Sequence, residues 1–336
     1  MHAKNDSMKV TIIRESEIRS CVSMSEEAVR AVAYGFTCLT EGKVSLPPII
    51  RVDVDANNGE VDIKTAYIEV LDSFAIKVAS GFFGNPEIGL PYGSGLMLLM
   101  SATTGFIEAI LLDNGYLTDL RTGIAGAIVA KYLAPSEIKT AGVIGSGMQA
   151  RYQIRGLKLV RDFRRLLIYN IRPESVEHYI NEISGELDLD IQKVNSPEEV
   201  VCQSEFVVTT TPSREPFLKA GWLHPGIHIT AVGSDGEHKQ ELYPEVFQKA
   251  DRLICDSKSQ CFRLGELHHA LDKGTITRDD DIIELGELTS GRRSGRQDEK
   301  EITICDLTGV GVQDTTIALL TYQKARALGL GMDIAV

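Results

Sequence analysis

Apolar residues recur at three- and four-residue intervals between positions 24 and 41. Val29, Val32, Ala33, Phe36 and Leu39 form one stripe, and that period predicts a helix stopped by Gly42. Ahead of it, 10–20 reads as a short strand and turn, and Ser23 stands three residues before Glu26, the spacing of a capping box. The period then shortens to two. Segments 48–55, 60–67 and 73–80 read as strands, the first two separated by the turn Asn57-Asn58-Gly59. Segments 96–100 and 106–112 make a further pair around Thr103-Thr104-Gly105. Strands this closely spaced predict an antiparallel or mixed sheet. The stretch 81–95, rich in glycine and proline, reads as a long functional loop. Segment 119–131 reads as a helix whose alanines and glycines suit close packing, ended by Pro135.

From residue 139 the pattern alternates. Strand 139–144, helix 148–160, strand 165–169, helix 173–183, strand 190–193 and helix 196–202 follow one another. Strands 205–210 and 227–232, helix 241–248 and strand 251–255 continue the series, with 301–305 as a last strand. This alternation predicts a parallel sheet covered by helices. A final helix, 313–328, is stopped by Gly329 and is expected to return to the first domain. The predicted fold is therefore α/β. A parallel-sheet domain at 119–314 is inserted in a discontinuous α+β domain made of 1–118 and 315–336.

The 336 residues, 43% hydrophobic and 24% charged, supply apolar mass for about two domains. A net charge of −12 argues against nucleic acid and anionic membrane as partners. The cysteines at 21, 38, 202, 255, 261 and 305 form no close pairs and mostly sit in apolar runs, so reduced thiols in a cytoplasmic protein are expected. With a polar start and no apolar run of membrane-spanning length, neither a signal peptide nor a membrane span is expected. Disorder is expected only in the first few residues and in a loop near 292. Adjacent histidines such as His268-His269 do not share a helix face, and no metal site is expected.

The densest chemical signal is 141–150, Ala-Gly-Val-Ile-Gly-Ser-Gly-Met-Gln-Ala. A strand runs into Gly145 and Gly147, the core of G-x-G-x-x-A completed by Ala150, and a helix follows. This Rossmann-like arrangement holds a dinucleotide pyrophosphate on free helix amides. At the end of the next strand Asn170 replaces the acid that usually accepts from the ribose of NAD. Arg172, with Arg151 as a second candidate, offers charge to a 2′-phosphate, which tips the reading of NAD(P) slightly towards NADP(H) over NAD(H). Thr209-Thr210-Thr211-Pro212 follows a strand at the same edge, where Thr210 could meet the cofactor or simply form a turn.

Several segments in order resemble the ornithine cyclodeaminase/mu-crystallin family, which includes alanine dehydrogenases and ketimine or imino-acid reductases. They are Gly145-Ser146-Gly147-Met148-Gln149-Ala150-Arg151, Leu120-Arg121-Thr122, Val232-Gly233-Ser234-Asp235 with Lys239 and Glu241-Leu242, and Thr308-Gly309-Val310-Gly311-Val312-Gln313-Asp314. The resemblance spans nearly the whole chain. It implies a Rossmann domain beside a split domain that binds substrate and makes a homodimer interface. It further implies that Arg51 and Arg121 hold a substrate carboxylate and that Lys77 binds or polarises the reacting group. Asp235 would act on the substrate nitrogen, and Thr122, Met148, Gln149, Val232, Gly233 and Val312 would line the cofactor. By itself Arg51 reads first as a surface salt bridge on a strand. Lys77, inside the apolar strand Phe74-Ala75-Ile76-Lys77-Val78, must find a polar pocket or solvent.

Lys64 departs from the family pattern and either tunes specificity or simply faces water, and Glu237-His238, where many members carry proline-glycine, either reach a charged substrate end or, for His238, only pack at the loop. The resemblance implies an NAD(P)-dependent reductase of a small imino acid, or an amino-acid dehydrogenase in reverse. A cyclodeaminase-like ammonia lyase with catalytic NAD and a non-catalytic, crystallin-like cofactor binder stand as alternatives.

Overall fold

A computed structural model describes residues 9–336. The expected disorder of the first few residues falls outside them. The chain divides into two compact units, one ending at Arg121 and resuming at Val310, the other Thr122–Gly309. The divisions thus fall at 121/122 and 309/310, not at 118/119 and 314/315, and this puts Arg121 and Asp314 in the same unit as Lys77.

The first unit is built on a mixed sheet. Its strands lie in the order Met332–Ala335, Lys9–Arg14, Ile107–Leu112, Gly93–Ser101, Ser73–Phe82, Gly59–Ile68, Val44–Ser45, with Ile50–Val54 also paired to Gly59–Ile68. Lys9–Arg14 runs parallel to Ile107–Leu112, and the other pairings are antiparallel. Alternation along these strands separates two faces. Ala66, Ala75, Lys77, Met97, Leu99, Ala109 and Leu111 are fully buried. Ile63, Ile76, Val78, Leu96, Leu98 and Ile110, on the opposite face, are half-buried. Helix Gly311–Ala327 covers the buried face and packs on helix Glu26–Thr40. Its docking is close: a Cβ on Gly311 would sit 2.3 Å from the Thr65 carbonyl. Thr315 Oγ1 donates to Ala66 O at 2.7 Å and accepts from Ala75 N at 3.1 Å.

The second unit is a parallel sheet in the order Asp190–Lys193, Arg165–Tyr169, Thr140–Ile144, Phe206–Thr209, His228–Ala231, Thr303–Asp306, Arg252–Cys255, Ile282–Glu284. Strand order reverses between Thr140–Ile144 and Phe206–Thr209, the switch point where α/β sheets bind ligands. Small residues set the helix contacts. A Cβ on Gly156 would lie 2.5 Å from the Gly123 carbonyl, and Gln153 Nε2 donates to Thr122 O at 2.9 Å.

Several expectations need correction. Helix Glu26–Thr40 is capped by Ser25, whose side chain accepts from Ala28 N, and not by Ser23. Residues Glu15–Cys21 are a helix, not a turn. The 81–95 loop is shorter than it reads, because the hairpin ladder continues to Gly81 opposite Gly93. Strand Thr303–Asp306 is central, between His228–Ala231 and Arg252–Cys255; crossover connections free strand order from chain order. The predicted helix 241–248 is only a tight 3-10 turn, Pro244–Lys249. The amides of Glu241 and Leu242 are taken by the Glu266 carboxylate, and Pro244 has no amide to give. The loop near 292 is tied down, with Arg293 paired to Asp281 at 2.6 Å and Arg296 donating to Leu133 O at 2.7 Å.

Two glycines test the close helix contact. Gly156→Ala forces a methyl against backbone and is expected to cost about 1–3 kcal/mol. Gly185→Ala, in helix Pro173–Leu187 where a Cβ meets nothing within 4 Å, is expected to stabilise by about 0.5–1 kcal/mol. Urea unfolding of both variants checks this; equal midpoints would discount the contact.

Candidate functional site

In the first unit the predicted lysine and arginine meet on one carboxylate. Lys77, on strand Ser73–Phe82, is 1% exposed. Its Nζ lies 3.3 Å from Asp314 Oδ1, and Arg121 Nε lies 3.1 Å from the same oxygen. Asp314 is brought there by the close seating of Gly311 and Thr315, because positions 311, 314 and 315 share one helix face. Gln313 completes the cluster. Its Oε1 accepts from Arg121 Nη1 at 3.2 Å and from Val310 N at 2.8 Å, while its Nε2 donates to Arg121 O at 3.3 Å. Neither Asp314 oxygen has a hydrogen bond of good geometry, although both are buried. Burial pushes the Lys77 ammonium pKa down to about 7; Arg121 adds to this, Asp314 opposes it, and Lys64 lowers it further.

Lys64 is itself buried and sits directly opposite Lys77 in the ladder. Arg51 faces Asp62 across the neighbouring pair, which puts it on the same sheet face, two strands from Lys77. Its guanidinium is engaged by Asp53 at 2.9 Å, by Glu60 and, at 3.8 Å, by Asp62. Burial works against its charge, but these carboxylates outweigh that and hold its pKa above the ordinary arginine value. The salt-bridge reading of Arg51 is therefore the arrangement seen, and Arg51 has no direct bond to the Lys77–Asp314–Arg121 cluster among the described contacts.

In the second unit Gly145 has φ +111°, and a Cβ there would meet Thr210 Oγ1 at 2.5 Å. Gly147 is the cap residue of helix Met148–Val160, and a Cβ on it would meet nothing within 4 Å. Open space in front of the start of this helix fits a pyrophosphate. Ala150 is fully buried, Gln149 half-buried and Met148 exposed.

Arg151 departs from expectation. It is 6% exposed, donates to Ser146 O at 2.6 Å and Gly147 O at 3.0 Å, and pairs with Glu182 at 2.7 Å. It braces the glycine turn from behind and is not placed to meet a 2′-phosphate. Asn170 donates through Nδ2 to Ser146 Oγ, and its Oδ1 accepts from Arg172 N, while the Arg172 residue is exposed.

Thr210 and the Val232-Gly233 pair follow adjacent strands at the carboxyl edge, and Val232 N donates to Thr209 O at 3.0 Å. Asp235 pairs with Lys239 at 2.7 Å, and Glu237 and His238 are exposed. His269 meets the Lys239 carbonyl at 2.8 Å. Thr122 presents its carbonyl to Gln153, and Val312 is buried in the first unit.

Two side chains central to these arrangements take roles that the sequence reading does not give them. Asp314 carried a signal, since a lone acid just after the start of an otherwise uncharged helix run, Gly311-Val312-Gln313-Asp314-Thr315-Thr316, calls for a buried cation. Glu241 carried one too weak to use. It is fully buried, and its carboxylate accepts from Thr209 Oγ1 at 2.7 Å, Thr211 N at 2.6 Å, Thr211 Oγ1 at 2.8 Å and Gly233 N at 3.0 Å. Burial pushes its pKa up to about 7 against those donors.

The chain is similar to known proteins along nearly its whole length. An uncharacterized cyclodeaminase of Sinorhizobium fredii is 46% identical over 321 residues, 95% of this chain and 97% of that one. The solved structure of an archaeal alanine dehydrogenase dimer with bound NAD superposes with a TM-score of 0.89 at 34% identity, covering 97% of this chain and 99% of the other. The Thermococcus litoralis Δ(1)-pyrroline-2-carboxylate reductase, in complex with NADH and L-proline, gives a TM-score of 0.91 at 31% identity over 97% and 100% of the two chains. The family model described as ornithine cyclodeaminase/mu-crystallin matches residues 8–329, and the chain belongs to that family.

Proposed function

We propose that this protein is an NAD(P)-dependent oxidoreductase that transfers hydride at C2 of a small amino or imino acid. The observation that carries this reading is the buried cluster in which Lys77 and Arg121 share the single carboxylate of Asp314. Two buried cations against one buried acid make a ready receptor for a second carboxylate, that of the substrate. The family relatives, an alanine dehydrogenase and a pyrroline-2-carboxylate reductase among them, act on compounds that carry such a group.

In this reading Arg121 binds the substrate carboxylate, and its planar fork fixes the orientation of C2. Lys77, with its pKa near 7, holds a proton that it can share with the group on C2 at neutral pH. Of the carboxylates on Arg51 only Asp53 is exposed, so it is the one a substrate carboxylate would displace. Asp235 exchanges the proton on nitrogen, directly or through water, and its pair with Lys239 holds the carboxylate in place. A bound nicotinamide supplies or accepts the hydride. Gly145, Gly147 and the amides of Met148 and Gln149 seat the pyrophosphate, with Thr122, Ala150, Asn170, Thr210, Val232, Gly233 and Val312 as further cofactor residues. The neutral Asn170 beside an exposed Arg172 supports a slight preference for NADP(H). The half-buried aliphatic face of the mixed sheet, with Ile76 opposite Leu98, supports a homodimer closed across that face.

Purified protein with NADH or NADPH is expected to reduce cyclic imino acids or the imines formed from 2-oxo acids with ammonia or methylamine. No turnover across that panel would overturn the reading. Ammonia release from ornithine with catalytic NAD and no net NADH would assign the cyclodeaminase reaction instead, and tight cofactor binding without turnover in either assay would leave a non-catalytic binder. In the reductive direction kcat/KM should fall as pH rises through about 7, where Lys77 loses its proton. Lys77→Arg, which does not titrate there, should flatten that limb while lowering kcat by roughly 10²-fold or more; an unchanged limb would remove Lys77 from the role. Arg172→Ala should weaken kcat/KM for NADPH by about 2- to 5-fold and leave NADH nearly untouched; equal effects on both would refute the preference. Light scattering should give about twice the chain mass for the native protein and the monomer mass for the Ile76→Glu/Leu98→Glu double variant, and a native monomer would reject the interface.

A further inference from the structure

The carboxyl edge of the parallel sheet is organised by a side chain that never needs to touch a ligand. Glu241 is fully buried behind the turns that follow strands Phe206–Thr209 and His228–Ala231. One of its oxygens accepts from Thr209 Oγ1 and Gly233 N, the other from Thr211 N and Thr211 Oγ1, so a single carboxylate bridges both turns. The space is tight. A Cβ on Gly233 would lie 2.2 Å from Thr211 O and 2.7 Å from the Glu241 carboxylate, so the glycine is required for the bridge to close. Glu241 is itself held from below, because Glu266 accepts from Glu241 N at 2.6 Å and Leu242 N at 3.1 Å. Glu266 stands at the start of helix Glu266–Asp272, and that helix is pinned by Asp306, which accepts from Leu267 N at 3.0 Å.

The bridge determines where backbone oxygens point. In a trans peptide the N–H and C=O of one plane are opposed. With Thr211 N and Gly233 N both turned in to Glu241, the carbonyls of Thr210 and Val232 are turned the other way. A Cβ on Gly145 would meet Thr210 O at 3.1 Å, which places that oxygen over the glycine turn at the switch point.

We infer that Glu241 is a positioning residue for the dinucleotide, aiming the Thr210 and Val232 carbonyls at the nicotinamide-ribose half of the cofactor while leaving the adenine half to the glycine turn. This rests on the dinucleotide reading above. The carbonyls are acceptors of the kind that a carboxamide NH₂ or a ribose hydroxyl satisfies, and their directions are set by one carboxylate that accepts from four donors.

Glu241→Gln keeps the shape but turns an NH₂ against two of those donors. Fluorescence titration of the full chain with NADH and NADPH should show Kd raised by about tenfold or more for whichever dinucleotide binds. Kd for ADP, or for 2′,5′-ADP where NADPH is the tighter, should stay within about twofold, because those fragments engage only the glycine turn. Damage to the fold as a whole would weaken both. Thr211→Val, which removes one donor, should weaken the dinucleotide by a smaller factor, and Thr211→Ser should restore it; this pair serves if Glu241→Gln does not fold. Unchanged dinucleotide affinity in Glu241→Gln and Thr211→Val, or equal losses for dinucleotide and fragment, overturns the inference. A native protein that binds neither dinucleotide nor fragment would instead sink the dinucleotide reading itself.

Discussion

A buried acid shared by two buried cations is the constraint on which the first unit depends. Asp314 sits on the covered face of the mixed sheet with both oxygens shielded from water. An ionised carboxylate there is tolerable only because Lys77 and Arg121 stand within 3.3 and 3.1 Å. Removing one partner of such a group commonly costs about 3–5 kcal/mol, since the other is left uncompensated. The three residues come from a central strand, the helix that ends the unit's first segment and the helix that begins its second. The ion cluster therefore stitches together a unit whose chain is interrupted by all of Thr122–Gly309. Burial, with Arg121 alongside, depresses the Lys77 pKa against the opposing pull of Asp314, into the range where proton transfer at neutral pH is possible.

The second unit solves a different problem with the same currency of buried carboxylates. Strands of a parallel sheet end at one edge with amides that need acceptors, and turns there must be rigid if they are to hold a ligand. Asp256 accepts from Thr308 N at 2.9 Å and Gly309 N at 2.6 Å, Glu241 from the two neighbouring turns, and Glu266 from the segment that carries Glu241. On the opposite side Arg151 does the converse, donating to the carbonyls of the glycine turn. Rigidity at the edge thus comes from charged side chains facing inward, which leaves the outer surface of the turns to a ligand.

Much of this was legible in the amino-acid pattern, and its limits were physical. The strand-turn-helix at Gly145 and Gly147 reads directly, because a positive φ, a close backbone approach and a small third position each restrict residue type locally. The change from two-residue to alternating strand-helix periodicity separates the two sheets for the same reason. What did not read were interactions between segments distant in sequence. The place of Thr303–Asp306 in the sheet centre depends on a crossover, the loss of helix at 241–248 on a carboxylate more than a dozen residues away, and the inward turn of Arg151 on carbonyls that any arginine would find attractive. Arg51 is the instructive case: its type and strand were right for a carboxylate, and the structure supplies three carboxylates of its own.

Sequence alone determined the period of each element, the glycine turn and the presence of a lysine too deep in an apolar strand to be idle. These are decided by neighbours along the chain, where sterics and side-chain spacing act without help. Tertiary structure alone decided which charges share a partner. Lys77 and Asp314 meet because a glycine at 311 lets a helix seat against the strand carbonyl of Thr65, and Glu241 commands two turns because Glu266 holds its backbone from a separate helix. Electrostatic pairing in a low-dielectric interior is set by distance through space, and distance through space is the quantity that a linear pattern of residues does not carry.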